Sequence, residues 1–291
     1  MIWLIGCKGM LGTEISLLFE KQCLPFIGTD REVDITNLEE LEIFIQNNHF
    51  EWIINCAAYT AVDKAEDDKE NCYLINCKGA ENIAVISNKI NAKLIHISTD
   101  YVFNGKGSKP YTEDDTADPI GVYGLSKYEG ETKVFQNNPC SLIIRTAWLY
   151  GIYGNNFVKT MLRLMNERDE LKVVNDQRGS PTWAYDLANV IITIIQRFDS
   201  GKNIPFGIYH YTNEGEITWN DFANEIYKQG KELNLITKNC EVKPCTSSDF
   251  PAKVKRPAYS VLNKFKIKNN LEITIPEWEN SLLKYLKNTL H

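Results

Sequence analysis

Three glycines near the N-terminus constrain the fold more than any other feature of the chain. Gly6, Gly9 and Gly12 follow the apolar run at residues 2–5 and open a segment with apolar residues at helical spacing. A glycine-rich turn between a first strand and a first helix is typical of α/β proteins that bind a dinucleotide, because free backbone N–H groups there can reach phosphate oxygens. The three-and-three spacing differs from the two-and-three spacing of the commonest motif. Glycine-rich turns between a strand and a helix also occur with a structural role only. The predicted phosphate-binding residues are Gly6, Gly9, Met10, Leu11 and Gly12.

The first half of the chain alternates strand-like runs with helix-like segments. The predicted strands cover residues 2–5, 24–29, 52–56, 93–98 and 141–145. The predicted helices cover residues 12–21, 38–47, 66–90 and 123–136. This alternation favours a doubly wound, Rossmann-type parallel sheet with helices on both faces. We expect a dinucleotide-binding domain over residues 1–150 and a smaller C-terminal α/β substrate-binding lobe over 151–291, with a helix at about 183–198 packing back on the first domain.

Polar and small residues follow the predicted strands at the edge where a parallel sheet binds its ligands. Asp30 closes the second strand, where a carboxylate can accept hydrogen bonds from a ribose, and the adjacent Arg31 can instead attract a 2′-phosphate. This pair leaves both NADH and NADPH open as the cofactor. The other predicted cofactor-binding residues are Asp34 and Ile35 near the adenine, Cys56, Ala57, Ala58 and Tyr59 after the third strand, and Ser98 at the end of the fourth.

Tyr123 and Lys127 lie four residues apart on a predicted helix, so their side chains point to the same side of it. Tyr123 can supply the proton that accompanies a hydride, provided that its pKa falls below the usual value of about 10. A nearby ammonium group lowers that pKa, and Lys127 can also bind the ribose hydroxyls of a cofactor. Thr99, which follows Ser98, can donate to a carbonyl oxygen that gains negative charge. These are the predicted catalytic residues of a nicotinamide-dependent oxidoreductase, and Tyr123 and Lys127 are also predicted to contact the cofactor.

Composition and charge disfavour several other classes of protein. The net charge is −6 and no basic cluster occurs, so we expect no nucleic-acid partner. No apolar run reaches the roughly 18 residues of a membrane span, and the N-terminal segment lacks the pattern of a signal peptide. The eight cysteines form no C-x-x-C pair, which fits a reducing cytoplasm. The four histidines, which show no metal-ligand spacing, are His49, His96, His210 and His291.

Six longer segments resemble the dTDP-4-dehydrorhamnose reductase family, a sugar-nucleotide branch of the extended short-chain dehydrogenases/reductases. They cover residues 55–66, 98–103, 145–151, 154–157, 176–182 and 256–260. The resemblance implies that NADPH or NADH reduces the C4 ketone of dTDP-4-dehydro-β-L-rhamnose, giving dTDP-L-rhamnose for cell-surface polysaccharide. It implies that Tyr123 donates the proton, with Lys127 as its partner, and that Thr99 polarises the carbonyl. The implied substrate-binding residues are Thr99, Asp100, Val102, Trp148, Asn156, Arg178 and Arg256.

The chain departs from the family at positions linked to metal binding. Some members hold a divalent ion with glutamates across a dimer, and Glu14 matches one of these glutamates. Tyr185-Asp186 stands where another glutamate would be needed, and Trp183 replaces a usually smaller residue. We therefore expect neither a bound divalent metal nor a metal-bridged dimer, whereas a homodimer held by other contacts stays open.

Three alternative functions are compatible with these residues. A related sugar-nucleotide 4-ketoreductase would give another epimer, of the 6-deoxy-talose type, and an epimerase would keep NAD bound through its cycle. A dehydratase is disfavoured because Tyr101 follows Thr99-Asp100 where such enzymes carry a carboxylate. A non-catalytic NAD(P)-binding regulatory subunit is the alternative from another class, and the intact Thr99, Tyr123 and Lys127 argue against it.

Overall fold

The computed structural model describes residues 1–202, 204–249 and 252–290, so His291 lies outside the described residues. The strands are β1 (Ile2–Ile5), β2 (Phe26–Thr29), β3 (Trp52–Asn55), β4 (Lys93–Thr99), β5 (Ser141–Thr146), β6 (Leu149–Tyr150), β7 (Glu170–Val174), β8 (Arg178–Gly179), β9 (Thr182–Trp183), β10 (Gly207–His210), β11 (Ile217–Thr218) and β12 (Glu241–Cys245). The α-helices are α1 (Met10–Lys21), α2 (Leu38–Gln46), α3 (Val62–Ala65), α4 (Lys69–Tyr73), α5 (Ala80–Lys89), α6 (Val122–Asn137), α7 (Phe157–Glu167), α8 (Ala184–Asp199), α9 (Trp219–Glu232), α10 (Phe265–Leu271) and α11 (Trp278–Asn288).

Six parallel strands form the central sheet in the order β10-β5-β4-β3-β1-β2. Side chains alternate between its two faces, as they must in a strand. Ile2 and Leu4 pack with helices α1, α8 and α10 on one face, whereas Trp3 and Ile5 pack with α2 and α5 on the other. This confirms the predicted doubly wound parallel sheet. None of the helices in the described part of the chain is long and apolar enough to span a membrane.

A second hydrophobic core lies beside the sheet. Helices α7, α9 and α11 pack there around the paired strands β7 and β12. Thr218 caps α9 in a reciprocal capping box with Asp221, which fixes where this helix begins. Tyr150, which lies four residues beyond the end of β5, belongs to this second core.

The boundary that we predicted at residue 150 divides the chain less cleanly in the structure. Helix α8 packs in the same core as α1, and β10 pairs with β5 as the outermost strand of the central sheet. Three elements beyond residue 150, namely α8, β10 and α10, therefore share the core of the first half, and the chain returns to this core twice.

The single helix predicted at residues 66–90 is interrupted in the structure. A short helix, α3, precedes it, and a π-helical segment at Leu74–Gly79 joins α4 to α5. Helix α6 approaches so closely here that a Cβ added at Gly130 would lie 2.2 Å from the Asn76 carbonyl oxygen. The wide turn also directs the Asn76 amide at the backbone of Tyr59, with bonds of 2.8 and 3.1 Å to its N and O atoms.

Candidate active site

The glycine turn is built as a phosphate-binding site requires. Gly6 has φ of +77°, and its N–H bonds the Thr29 carbonyl of the neighbouring strand at 2.7 Å. A Cβ added at Gly12 would lie 2.1 Å from the Gly6 carbonyl oxygen, so helix α1 can start here only with glycine. Gly9 is the N-cap of α1 and supplies no side-chain hydrogen bond to it. The first N–H groups of α1 are therefore available to an anion.

The end of β2 forms a charged rim at the surface. Asp30 is half-buried and Arg31 is exposed, and neither lines the cavity described below. Glu32, which the sequence analysis did not single out, accepts from the backbone N–H of Asp30 at 2.8 Å and from Lys8 at 3.1 Å. The rim thus contains two acidic and two basic side chains within three residues of β2 and the glycine turn.

The other residues predicted to bind the cofactor fall into two groups. Cys56, Ala58 and Ser98 line the same cavity as the glycine turn. Ala57 and Tyr59 hold the connecting loop in place, and their N–H groups bond the Asn55 and Asn76 side chains. Further out, the Asp34 carboxylate accepts from Thr36, and the Ile35 side chain is buried in the core under α5.

Thr99 and Tyr123 meet at the centre of the site. Thr99 ends β4, where its hydroxyl accepts from the Tyr101 N–H at 3.2 Å and donates to the Asp100 carboxylate at 3.1 Å. Burial raises the pKa of the Tyr123 phenol above its usual value, and a hydrogen bond with Thr99 offsets part of this effect. The ring of Tyr101 packs edge-on against that of Tyr123, with centroids 5.5 Å apart. Thr99 and Tyr123 thus both line one cavity.

Lys127 is buried behind Tyr123, one turn further along α6. Its Nζ donates to the Ile97 carbonyl at 2.7 Å and lies 3.4 Å from Nε2 of His96. Burial lowers the pKa of Lys127 to about 8. The prediction that Lys127 keeps the pKa of Tyr123 low is wrong for this structure, because burial of the phenol outweighs the other influences on it and raises that pKa.

Two adjoining cavities surround these residues. The smaller, of about 470 Å³, is lined by the glycine turn, Thr99, Asp100, Tyr123 and Lys127. The larger, of about 1060 Å³, lies between α7 and the segment that leads to Arg256. The side chain of Tyr101 lines both. A ligand that fills both cavities would therefore pass across Tyr101.

The residues predicted to bind the substrate are divided by the structure. Asp100 and Trp148 line the smaller cavity, and Arg256 lines the larger one. Burial raises the pKa of Asp100 to about 6. Arg256 also donates to the Tyr101 hydroxyl at 2.9 Å and pairs with Asp63.

Three other predicted substrate residues lie outside both cavities. Val102 is fully buried between Phe103 and Leu262, so its side chain cannot reach a ligand in the cleft. Asn156 caps α7. Its Oδ1 accepts from the Lys159 N–H, and its Nδ2 donates to the Gly151 carbonyl. Arg178 is half-exposed and pairs with Glu216 at 2.7 Å. The substrate contacts expected for these three side chains therefore stay predictions.

Several lining residues were missed by the sequence analysis. They include Thr60, Tyr101, Thr146 and Asn155 in the smaller cavity, and Phe157 and Trp219 in the larger. Tyr101 could have been found, because it directly follows Thr99-Asp100. Asn155 lines the smaller cavity, whereas the adjacent Asn156, which we singled out, caps α7. Aligning the motif one residue earlier would have identified Asn155.

Glu14 is buried on α1, and burial raises its pKa. Its Oε1 has no hydrogen-bond partner among the described residues. The Asp186 carboxylate accepts from the Asn213 amide at 2.7 Å and from the Ser281 hydroxyl at 2.5 Å. Within residues 1–202, 204–249 and 252–290, no three His, Cys, Asp or Glu side chains are grouped as metal ligands.

Comparison with known proteins gives one family. The model of the RmlD substrate binding domain matches residues 1–291. A dTDP-4-dehydrorhamnose reductase from Aggregatibacter actinomycetemcomitans is 40% identical over 279 residues, which cover 95% of each chain. The structure of a dTDP-4-dehydrorhamnose reductase from Clostridium acetobutylicum has a TM-score of 0.93 and 40% identity, covering 100% of this chain and 99% of that one. A Bacillus anthracis dTDP-4-dehydrorhamnose reductase solved with NADP has a TM-score of 0.91 and 38% identity, with coverage of 99% and 98%. The chain therefore belongs to the dTDP-4-dehydrorhamnose reductase family.

Proposed function

We propose that the chain reduces the C4 ketone of dTDP-4-dehydro-β-L-rhamnose to dTDP-L-rhamnose, with NADPH or NADH as the hydride donor. One observation carries the proposal: the hydroxyls of Thr99 and Tyr123 lie in the same cavity as the glycine turn at residues 9–12. A proton donor, a group that can polarise a carbonyl and a phosphate site are therefore within reach of one substrate. Membership of the family supports the sugar-nucleotide substrate.

The residues of the smaller cavity fit a nicotinamide dinucleotide. Gly6 and Gly12 allow backbone contacts that a side chain would block. A Cβ added at Gly9 would contact only the Gly6 carbonyl oxygen, at 3.3 Å. The buried hydroxyl of Ser98 lacks a partner among the described residues, and this side chain lines the cavity. The bound cofactor supplies the hydride. We propose that the glycine turn holds its diphosphate and that Lys127 contacts its ribose.

Tyr123 is proposed to hold the proton that the substrate receives. Its raised pKa keeps the phenol protonated at neutral pH, so a proton is available when the ketone oxygen gains charge. Thr99 is proposed to donate to the same oxygen, since a fixed hydroxyl stabilises developing negative charge.

The larger cavity is proposed to hold the nucleotide diphosphate. Its walls carry four cationic side chains, Arg168, Lys172, Lys255 and Arg256. Charge-assisted hydrogen bonds from such groups are strong ligands for phosphate oxygens. The sugar would then lie beyond Tyr101, between Asp100 and Trp148 in the smaller cavity.

The experiment that tests this function follows the oxidation of NADPH by the purified chain with the keto-sugar nucleotide present and absent. Turnover should require both the chain and the sugar. It should be lost in Tyr123→Phe and kept in Tyr227→Phe, since Tyr227 lines neither cavity. Absence of sugar-dependent oxidation by the wild type would contradict the proposal.

We also propose a cytoplasmic location. All eight cysteines are free thiols, which fits a reducing compartment. The sequence leaves a homodimer open, and sedimentation of the purified chain over a range of concentrations would test it.

A further inference from the structure

We propose that Asn55 and His96 are positioning residues that fix the place and the charge state of Lys127. The three side chains form a continuous buried row behind the smaller cavity, and each is only 1% exposed. Nδ2 of Asn55 lies 3.0 Å from Nδ1 of His96, and Nε2 of His96 lies 3.4 Å from Nζ of Lys127. The inference rests on the proposed function only in assigning Lys127 to the cofactor.

The backbone of the segment that follows β3 fixes the orientation of the Asn55 amide. The N–H of Ala57 can only donate, and it bonds Oδ1 of Asn55 at 3.0 Å. The amide nitrogen of Asn55 must therefore face His96, so that Nδ1 of the imidazole accepts. A neutral imidazole that accepts at Nδ1 carries its proton on Nε2. Burial lowers the pKa of His96 well below its usual value, which keeps the ring neutral.

The Nε2–H group of His96 then points at Lys127. An ammonium group has three donors and no acceptor, so it gains nothing from this neighbour, whereas a neutral amine can accept from it. Lys127 already donates to the Ile97 carbonyl at 2.7 Å. The row from Asn55 to His96 thus favours loss of the third proton, in the same direction as burial, which lowers the pKa of Lys127 to about 8.

The other groups that face Lys127 come from three elements. Glu131 and Tyr123 belong to α6, Cys56 directly follows β3, and Cys72 belongs to α4. The Glu131 carboxylate favours the ammonium form, but it is held by Arg145 in a bidentate buried pair at 2.9 and 2.6 Å. The thiols of Cys56 and Cys72 are neutral at physiological pH, because burial raises both of their pKa values. His96 is therefore the neighbour whose tautomer decides the hydrogen bonding of Lys127.

A lysine with a lowered pKa is a better proton source than an ordinary one. After Tyr123 has given its proton to the substrate, it must regain a proton before the next turnover. The alternative is a purely structural role, in which Asn55 and His96 only form hydrogen bonds with each other inside the core. The two accounts differ in the tautomer of His96 and in the pH dependence of the enzyme.

The first test reads the tautomer directly in the full-length protein labelled with ¹⁵N-histidine. We expect the Nδ1 signal of His96 at the position of an unprotonated nitrogen and the Nε2 signal at that of a protonated one. The two signals that disappear in His96→Gln are thereby assigned to His96. In Asn55→Asp the carboxylate accepts from both Ala57 and the ring, so the two signals should exchange. A wild-type ring protonated on Nδ1 would overturn the proposal whether or not the chain reduces the proposed sugar.

The second test measures kcat/KM against pH. The alkaline limb should move upward by roughly one pH unit in His96→Gln and Asn55→Asp, because both remove the Nε2–H that faces Lys127. His49→Gln removes an exposed histidine and should leave the profile unchanged. Profiles that coincide for the wild type and both variants would overturn the proposed control of the Lys127 charge and leave only a structural role.

Discussion

The indole rings of Trp148 and Trp219 stack face to face, with centroids 3.6 Å apart and planes inclined by 10°. Trp148 lines the smaller cavity and Trp219 the larger, so this pair forms part of the wall between them. Trp148 has φ of +47°, a left-handed conformation that bulky residues rarely adopt. A Cβ added at Gly179 would lie 2.6 Å from the indole ring of Trp148. Trp148 is thus held between a glycine and a second tryptophan.

Removing Trp219 should therefore weaken sugar-nucleotide binding more than cofactor binding. A stacked aromatic pair contributes about 0.5–1.5 kcal/mol beyond its area, so Trp219→Leu should raise KM for the sugar nucleotide by roughly 2- to 12-fold. KM for NADPH should stay near its wild-type value. Phe265→Ala, which removes an aromatic ring that is 69% exposed, is the control and should change neither constant. Equal changes in both KM values in Trp219→Leu would contradict this role.

Tyr123→Phe should lower kcat by about 10²–10⁴, the usual contribution of a general acid, while the Kd of NADPH changes little. The pH profile of the wild type separates the two buried groups. Because burial raises the pKa of Tyr123 above its usual value, the phenol stays protonated across the working range. An alkaline limb near pH 8 would instead report Lys127. An alkaline limb that disappears in Lys127→Met, and that persists in conservative variants of residues outside the two cavities, would confirm this assignment.

Asp100→Asn should stabilise the fold at neutral pH. The pKa of Asp100 is raised from 3.8 to about 6, so the folded chain binds this proton more tightly than the unfolded chain does. Its contribution to stability is complete below pH 3.8 and is lost as the pH rises through about 6. The gain in the variant should be on the order of 1–3 kcal/mol above pH 7 and smaller near pH 5.

Thermal unfolding at both pH values measures this difference. Asp115→Asn provides a contrast of opposite sign, because hydrogen bonds from Thr112 lower the pKa of Asp115. That variant should lose stability at neutral pH. A gain for Asp100→Asn that does not depend on pH would show that burial of its charge is not the cause.

The rim at the end of β2 should allow both cofactors within about tenfold, or roughly 1.4 kcal/mol. Arg31→Ala should shift the ratio of kcat/KM values toward NADH, and Asp30→Ala should shift it toward NADPH. Glu32 ties down the Asp30 backbone and pairs with Lys8, so Glu32→Gln should also favour NADPH by removing a charge near the 2′ position. Ratios that stay constant in all three variants would place the 2′ position elsewhere.

The parts of the site that depend on local geometry could be predicted from the sequence. Gly6 and Gly12 are required by backbone approaches that only glycine permits, and such requirements leave a visible pattern. Tyr123 and Lys127 lie on one helix, so their spacing alone places them together. Thr99 lies at the end of β4. Ligands of a parallel sheet bind at the edge where its strands end, so the place of Thr99 in the site could also be predicted.

Long-range contacts left no such pattern. The stacking of Trp148 on Trp219 joins a loop after β5 to the first residue of α9, and nothing local to either residue indicates the other. The return of β10 to the central sheet was missed for the same reason. The sequence analysis did not identify Asn156 as a helix cap, although asparagine before a helical segment is a common N-cap. The raised pKa of Tyr123 reflects burial, which spacing does not report.

The central claim is that this chain delivers a hydride to C4 of a 4-keto sugar nucleotide and yields the rhamnose configuration. The most direct measurement uses NADPH carrying deuterium at the transferred position and identifies the sugar product by NMR. We predict deuterium at C4 of dTDP-L-rhamnose, with product formation abolished in Tyr123→Phe. Deuterium at C4 of the talose epimer, or a product without deuterium at C4, would contradict the account.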